Sequence, residues 1–182
     1  MWDFPELDEE IRKLMLDEVS LDEKSNDGIY PGKYLNEKGR KEYPALLREA
    51  LTSGNPDTFT QVLSPCPGPF WIPRYVRRNG VEAAVPKDSP SRLAEGEFNR
   101  YYMRAISIRA ISQKQTQVQV YRAKQVKAPR WLDVKVKEGD LRDPQVVLQD
   151  LRSSKGTATQ SGIPRGPNSG LSLRTVPDAN AS

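Results

Sequence analysis

Hydrophobic positions change period several times along this chain, and each change marks an element. Leu7, Ile11, Leu14, Met15 and Glu18 follow an i, i+4, i+7, i+8, i+11 spacing with acids and bases between them, which predicts an amphipathic helix. Asp3 with Glu6 three residues on has the form of a capping box, and Pro5 suits a first turn. Asp17, Glu18, Asp22 and Glu23 crowd the far end, where acids oppose the helix dipole. That end is expected to fray or to need a cationic neighbour.

NDGIYPG, residues 26–32, is turn chemistry. A second helix is expected from Asn36, a good N-cap, carrying Tyr43, Leu46, Leu47, Ala50 and Leu51 to a stop at Gly54, with Pro44 kinking it or dividing it in two. Asn55-Pro56 reads as the N-cap and first position of a short helix through Phe59, Val62 and Leu63. Prolines at 65, 67, 69 and 73 exclude a helix or central strand from Ser64 to Arg74. That stretch is expected to be an extended connector, pinned to a surface by Phe70, Trp71 and Ile72, with one short strand, Val81 to Val85, beyond it.

The strongest helical signal runs from Arg92 to about Ser112, with Ser91 as N-cap and Phe98, Tyr101, Tyr102, Ala105, Ile106 and Ile108 as one broad apolar stripe. Arg100 and Arg104 fall on the opposite side. Arg109 falls inside the stripe, where an arginine must be paired, snorkelling or at an interface; Glu95, Glu97 or a carboxylate of another chain are the candidate partners. QVQVYRAKQV then alternates as a strand should, with Val118, Val120 and Val126 on one face, and WLDVKVK, 131–137, alternates again. Asp143-Pro144 opens a last helix carrying Val147, Leu148 and Leu151.

Beyond Ser153 the periodicity disappears. The stretch to Ser182 has no aromatic residue, and Ile163, Leu171, Leu173 and Val176 are its only aliphatics larger than Ala. So little apolar surface cannot offset ordering entropy, which predicts an extended arm: a spacer to Ser161, then anchors at Ile163, Leu171 and Leu173. Removing 162–182 is expected to leave the domain folded. The fold class is α+β, with several helices, a short antiparallel sheet and this C-terminal arm. Four blocks are expected: an acidic helical region 1–63, a Pro-rich connector 64–90, a basic helix-strand-strand-helix core 91–152, and the arm 153–182.

Composition sharpens this. With a mean hydropathy of −0.70 and 15 prolines in 182 residues, a small core with extended excursions fits better than a compact enzyme. The net charge of +4 conceals segregation: residues 1–57 carry 8 basic and 14 acidic side chains, residues 72–130 carry 13 basic and 4 acidic. An acidic front and basic middle can complement each other within one chain or between copies, so self-association is a mild expectation. Tyr75 among Arg74, Arg77 and Arg78, and Tyr121 before Lys124 and Lys127, interleave aromatic and basic groups as a nucleic-acid contact does. No zinc finger, KH loop or RNP motif accompanies them.

Without histidine, most zinc sites and His-dependent triads and dyads are excluded, and the single Cys66, between two prolines, excludes disulfides and CxxC chemistry. GIPRGPNSG has neither the preceding strand nor the Lys-Ser/Thr pair of a phosphate loop. The acid runs at Asp8, Glu9 and Glu10 and at Asp22 and Glu23 read as solvated helix faces. No catalytic residue, metal ligand, cofactor or small-molecule substrate is expected. Neither a secretory leader nor a membrane span is expected either.

LAEGEFNRYYMRAISIRAI (93–111), VQVYRAKQVKAPR (118–130), DPQVVLQDLR (143–152) and GIPRGPNSGLSLR (162–174) together resemble a group of small proteins encoded in tailed-phage and prophage genomes. The resemblance implies a non-enzymatic capsid-associated or head–tail joining protein, present in the virion and in the host cytoplasm during assembly. It would act by contacts with copies of itself and with other virion subunits. Trp71, Arg100, Arg104, Arg109, Ile163, Leu171 and Leu173 are the expected protein contacts. The alternative is a nucleic-acid-binding accessory protein using the 72–130 block, with Arg74, Arg77, Arg78, Lys124 and Lys127 as contacts.

Overall fold

A computed structural model describes residues 1–126, 137–154, 163 and 169–176. Local chemistry sets most helix boundaries. Asp8 caps α1 (Glu9–Lys24), its Oδ1 accepting from the Ile11 N–H at 2.9 Å, so the helix starts later than the Asp3/Glu6 pattern implied. Asn36 caps α2 (Glu37–Ser53), which stays one helix through Pro44, with Tyr43, Leu47, Ala50 and Leu51 buried along its length. Gly54 ends α2, and Asn55 with Thr58 forms a reciprocal capping box on α3 (Pro56–Leu63). The strands β1 (Arg74–Val76) and β2 (Glu82–Ala84) pair as an antiparallel hairpin. Then come α4 (Ser89–Ser112), β3 (Val118–Arg122), β4 (Leu141–Arg142), α5 (Pro144–Ser153, capped by Asp143) and β5 (Leu171–Thr175).

These elements form an α+β protein of two compact units: Met1–Glu18 with Asn99–Ser182, and Val19–Phe98. Both α1 and α4 run from one unit into the other, so the units cut across the four sequential blocks expected from composition. Among the described residues, no helix is long and apolar enough to cross a membrane.

The first unit is built on a three-stranded antiparallel sheet in the order β4-β3-β5. Val120 stands opposite Leu173 and Arg122 opposite Leu171, and all three apolar partners, Val120, Leu171 and Leu173, are buried. Within the stretch read as an arm, Leu171–Thr175 is therefore a sheet strand of its own chain. Leu171 and Leu173 do share a side, as their alternation implied, and that side is core. Gly170 makes the entry possible: its φ is +65°, and a Cβ there would lie 2.0 Å from the Lys124 carbonyl oxygen. Buried side chains from α1 (Ile11, Met15), α4 (Tyr101, Tyr102, Ile106) and α5 (Val147, Leu151) complete this unit's interior. Its N-terminus is tied in as well. The Asp3 N–H donates to the Ala123 carbonyl at 2.7 Å, and buried Trp2 stacks on Phe4 with ring centroids 5.4 Å apart. Val126 lies beyond β3, and the strand expected over 131–137 falls largely outside the described residues.

In the second unit α2 and α3 meet through Tyr43 and Phe59, whose rings stack at 5.9 Å. The proline-rich connector is held from within. Trp71 is buried, its Nε1 donating to the Leu63 carbonyl at 2.7 Å, and it bridges Leu35 in antiparallel fashion. The Asn36 and Ile72 N–H groups donate to the Phe70 and Tyr34 carbonyls at 2.9 and 3.0 Å.

Because β5 supplies core leucines, loss of 162–182 is expected to unfold the first unit, contrary to the sequence-based expectation. The measurable form is Leu173→Ala, which should lower the urea-unfolding free energy by about 2–5 kcal/mol. A variant as stable as the wild type would show that β5 is not docked in solution.

Candidate functional site

Two groups of charged residues stand out, one buried in the first unit and one exposed in the second. The buried group is centred on α4. At helical spacing Arg100 and Arg104 fall opposite the apolar stripe, where solvent is expected, yet nearly every side chain from Leu93 to Ala110 is buried. Arg104 is 0% exposed, its Nε and Nη2 2.6 and 2.5 Å from the Glu18 Oε2. Arg152 of α5 reaches the same carboxylate as a fork, Nε 2.9 Å from Oε2 and Nη2 bonded to Oε1. Glu18 thus receives cations from α4 and α5, meeting the need that its place near the end of an acidic helix creates. Arg100 donates through Nε and Nη2 to the Leu151 carbonyl, both at 3.2 Å, so it caps the last turn of α5.

Arg109 is the second buried anchor. It lies 2.5 Å from Asp8 Oδ1, 2.9 Å from Glu10 Oε2 and 3.8 Å from Glu6 Oε2. Its partners come from the N-terminal segment; Glu95 and Glu97, the candidates raised from sequence, belong to the other unit. Burial works against the Arg109 charge, but hydrogen bonding to Asp8 and the fields of Asp8, Glu10 and Glu6 hold its pKa above the ordinary value. In return the Arg109 hydrogen bond holds the Asp8 carboxyl below its usual range. Glu6 also accepts from the Thr175 N–H and hydroxyl, both at 2.8 Å, tying β5 to the same cluster. Tyr102 and Tyr121, buried nearby in the fold, have hydroxyl pKa values pushed upward mainly by desolvation.

The exposed group surrounds the β1–β2 hairpin. Arg77 donates its N–H to the Val81 carbonyl at 2.9 Å, and Gly80, with φ +79°, donates to the Arg77 carbonyl at 2.9 Å. This is a type I turn closed by a left-handed glycine, the turn that an Arg-Asn-Gly sequence between two short apolar runs specifies. Arg74, Val76, Glu82 and Ala84 face solvent together, Val76 at 64% exposure, and Arg74 pairs with Glu82 at 2.8 Å. On the other face Tyr75 meets Tyr34, ring centroids 4.7 Å apart, and Lys33 Nζ lies 5.4 and 5.1 Å from the two rings. The Tyr75 hydroxyl is more acidic than usual, first through its hydrogen bond with Tyr34 and then through Arg77 and Lys33. Among the described residues no carboxylate forms an ion pair with Lys33, Arg77 or Arg78.

The expected partner residues are therefore sorted by burial. Trp71, Arg100, Arg104, Arg109, Ile163, Leu171 and Leu173 are all buried within the chain and have no face to offer a partner in this state. The arginines are buried because carboxylates and a helix-end carbonyl of the same unit neutralise them. Arg74, Arg77 and Arg78 are exposed, as a contact surface requires. Lys124 is half-buried, its Nζ 5.9 Å from the Trp2 ring, and Lys127 lies outside the described residues. Cys66 is partly exposed, with its thiol pKa raised first by burial. Lys33 and Tyr34 escaped sequence reading, because they sit far from the basic block and join it only in space.

Among the described residues no cluster of three His, Cys, Asp or Glu side chains is placed to hold a metal. Among the described residues one surface groove lies on α2 and α3 beside Leu46, Ala50 and Phe59, and a second beside Leu148, Gln149 and Arg152. The first contains Glu49 as its single ionisable group and the second Arg152, so neither holds an acid–base pair.

Arg104→Ala, which leaves the buried Glu18 still paired with the half-exposed Arg152, is expected to cost about 2–3 kcal/mol in chemical denaturation, whereas Arg152→Ala costs about 1 kcal/mol or less. Equal losses would contradict Arg104 as the buried member of the centre. Asp8 supplies a pH test. Its folded pKa lies below the ordinary 3.8, so its contribution is full above that value and is lost as pH falls through the depressed one. Asp8→Asn keeps a competent cap and should flatten the acid limb of the stability–pH curve; an unchanged limb would refute the Arg109 coupling.

Compared with known proteins, the sequence matches no family model, and neither a curated protein nor a solved structure matches the chain.

Proposed function

We propose that this is a non-enzymatic assembly protein acting by surface contact, a capsid-associated or head–tail joining subunit of a phage virion. One observation carries the reading. Arg104, Arg109 and Arg152 of the first unit are tied up with Glu18, Asp8 and Glu10 in holding the fold, whereas the hairpin of the second unit presents exposed groups that the fold does not use. The blockwise resemblance to small tailed-phage proteins supports a virion as the assembly, reached from the host cytoplasm. Part of the acidic front is matched inside the chain, Glu23 by Arg48, Glu18 by Arg104 and Arg152, and Asp8 and Glu10 by Arg109. Contact with other subunits then falls to the solvent face of the hairpin, where Val76 sits between Arg74 and Glu82 without an internal role.

Particles sedimented from the native source are expected to contain the protein, and free monomer in every fraction would overturn the reading. Val76→Ser should fold normally but incorporate about tenfold less, the effect of roughly 1.4 kcal/mol of lost contact. Normal incorporation of that variant would move the contact elsewhere.

A further inference from the structure

We propose that the other face of the same hairpin, formed by Lys33, Tyr34, Tyr75 and Arg77 with Arg78 at the turn, is a contact site for single-stranded nucleic acid. It rests on the preceding reading only in taking the hairpin as a working surface. Three features point to a polyanion. Lys33, Arg77 and Arg78 have no carboxylate partner among the described residues, although nearby Arg74 and Arg92 are matched by Glu82 and Asp88 at 2.8 and 2.7 Å. Two of the cations converge on the rings, Lys33 Nζ lying 5.4 and 5.1 Å from the Tyr34 and Tyr75 centroids and Arg77 following Tyr75 on the same face of the strand. The Tyr75 hydroxyl is more acidic than usual, first through Tyr34 and then through the neighbouring Arg77 and Lys33.

The rings decide which polyanion. Tyr34 and Tyr75 remain partly exposed, and an acidic polypeptide would need the cations alone. Unpaired bases stack on exposed aromatic faces while the phosphates follow the basic groups; a duplex hides those base faces. The geometry is also set before any ligand arrives. The Ile72 N–H bond to the Tyr34 carbonyl at 3.0 Å, the Leu35–Trp71 bridge and the buried Trp71 Nε1 bond hold the Tyr34 segment beside the strand leading to Tyr75.

The test is fluorescence anisotropy of the full chain with labelled oligothymidine and oligouridine across a salt series, with matched duplex and polyglutamate as competitors. Single strands should bind, tightest at low salt, and win over both competitors. Lys33→Ala/Arg77→Ala/Arg78→Ala should reduce the log–log salt slope by about 2, at about 0.7 per phosphate contact. Tyr75→Leu should weaken binding about tenfold or more and leave the slope in place. Absence of binding at low salt, an unchanged triple variant, an unchanged Tyr75→Leu, or equal competition by duplex or polyglutamate would each overturn the assignment. Circular dichroism of these surface variants controls for folding. Particle incorporation, read through Val76 on the opposite face, is a separate measurement, so failure of one proposal does not mask failure of the other.

Discussion

A guanidinium with no access to water is the constraint around which the first unit is built. Arg104 can be charged at 0% exposure only with a carboxylate in direct contact, and Glu18 provides it at 2.5–2.6 Å. Glu18 lies two turns from the end of α1, so that stretch of α1 must lie where α4 places its guanidinium. Arg152 then draws the last turn of α5 to the same carboxylate, and Arg100 holds that turn's Leu151 carbonyl. Three helices are thus registered by one carboxylate and the arginines around it. A well-packed apolar cluster of the same volume could be equally stable, but it would not demand this register.

The Arg109 cluster extends the same logic to the chain ends. One guanidinium gathers Glu6, Asp8 and Glu10, and Glu6 in turn receives the Thr175 N–H and hydroxyl. Residues near the two termini are thereby held to α4 by a connected set of charge-assisted bonds. Such networks are costly to break where the remaining member is desolvated, as Arg109 is at 8% side-chain exposure, and cost less where the member is solvated, as Asp8 and Glu10 are. The opposition of acidic front and basic middle, which from composition could join copies of the chain, is thus used in part within the fold, through Arg104 and Arg109. Arg77 and Arg78 on the hairpin and Lys33 beside it have no carboxylate partner among the described residues, and the functional reading rests there.

Much of the architecture could be read from local chemistry. Asn36, Asn55-Pro56 and Asp143-Pro144 mark helix starts, Gly54 marks a helix end, and alternation marks Val118 to Arg122, because caps, turns and pleats are satisfied by residues a few positions apart. Only half of the hairpin is legible, as one short strand over Val81 to Val85; its partner strand Arg74–Val76 is too short and too charged to show an apolar run. Of the candidate contacts, the hairpin arginines are exposed, while the α4 arginines and the C-terminal leucines were placed outside a fold that in fact encloses them.

The misplacements share one cause. Helical periodicity assigns charged positions to water, a rule that holds unless another segment brings the opposite charge; Glu18 stands 86 residues before Arg104 and no periodicity links them. Composition likewise makes the C-terminal stretch too poor in apolar groups to order itself. It cannot show that β3 offers an open edge on which Leu171 and Leu173 become core. By itself the sequence determined where elements begin and end and which charges exist. Only the tertiary structure decided which charges are cancelled, because that depends on partners supplied from far along the chain.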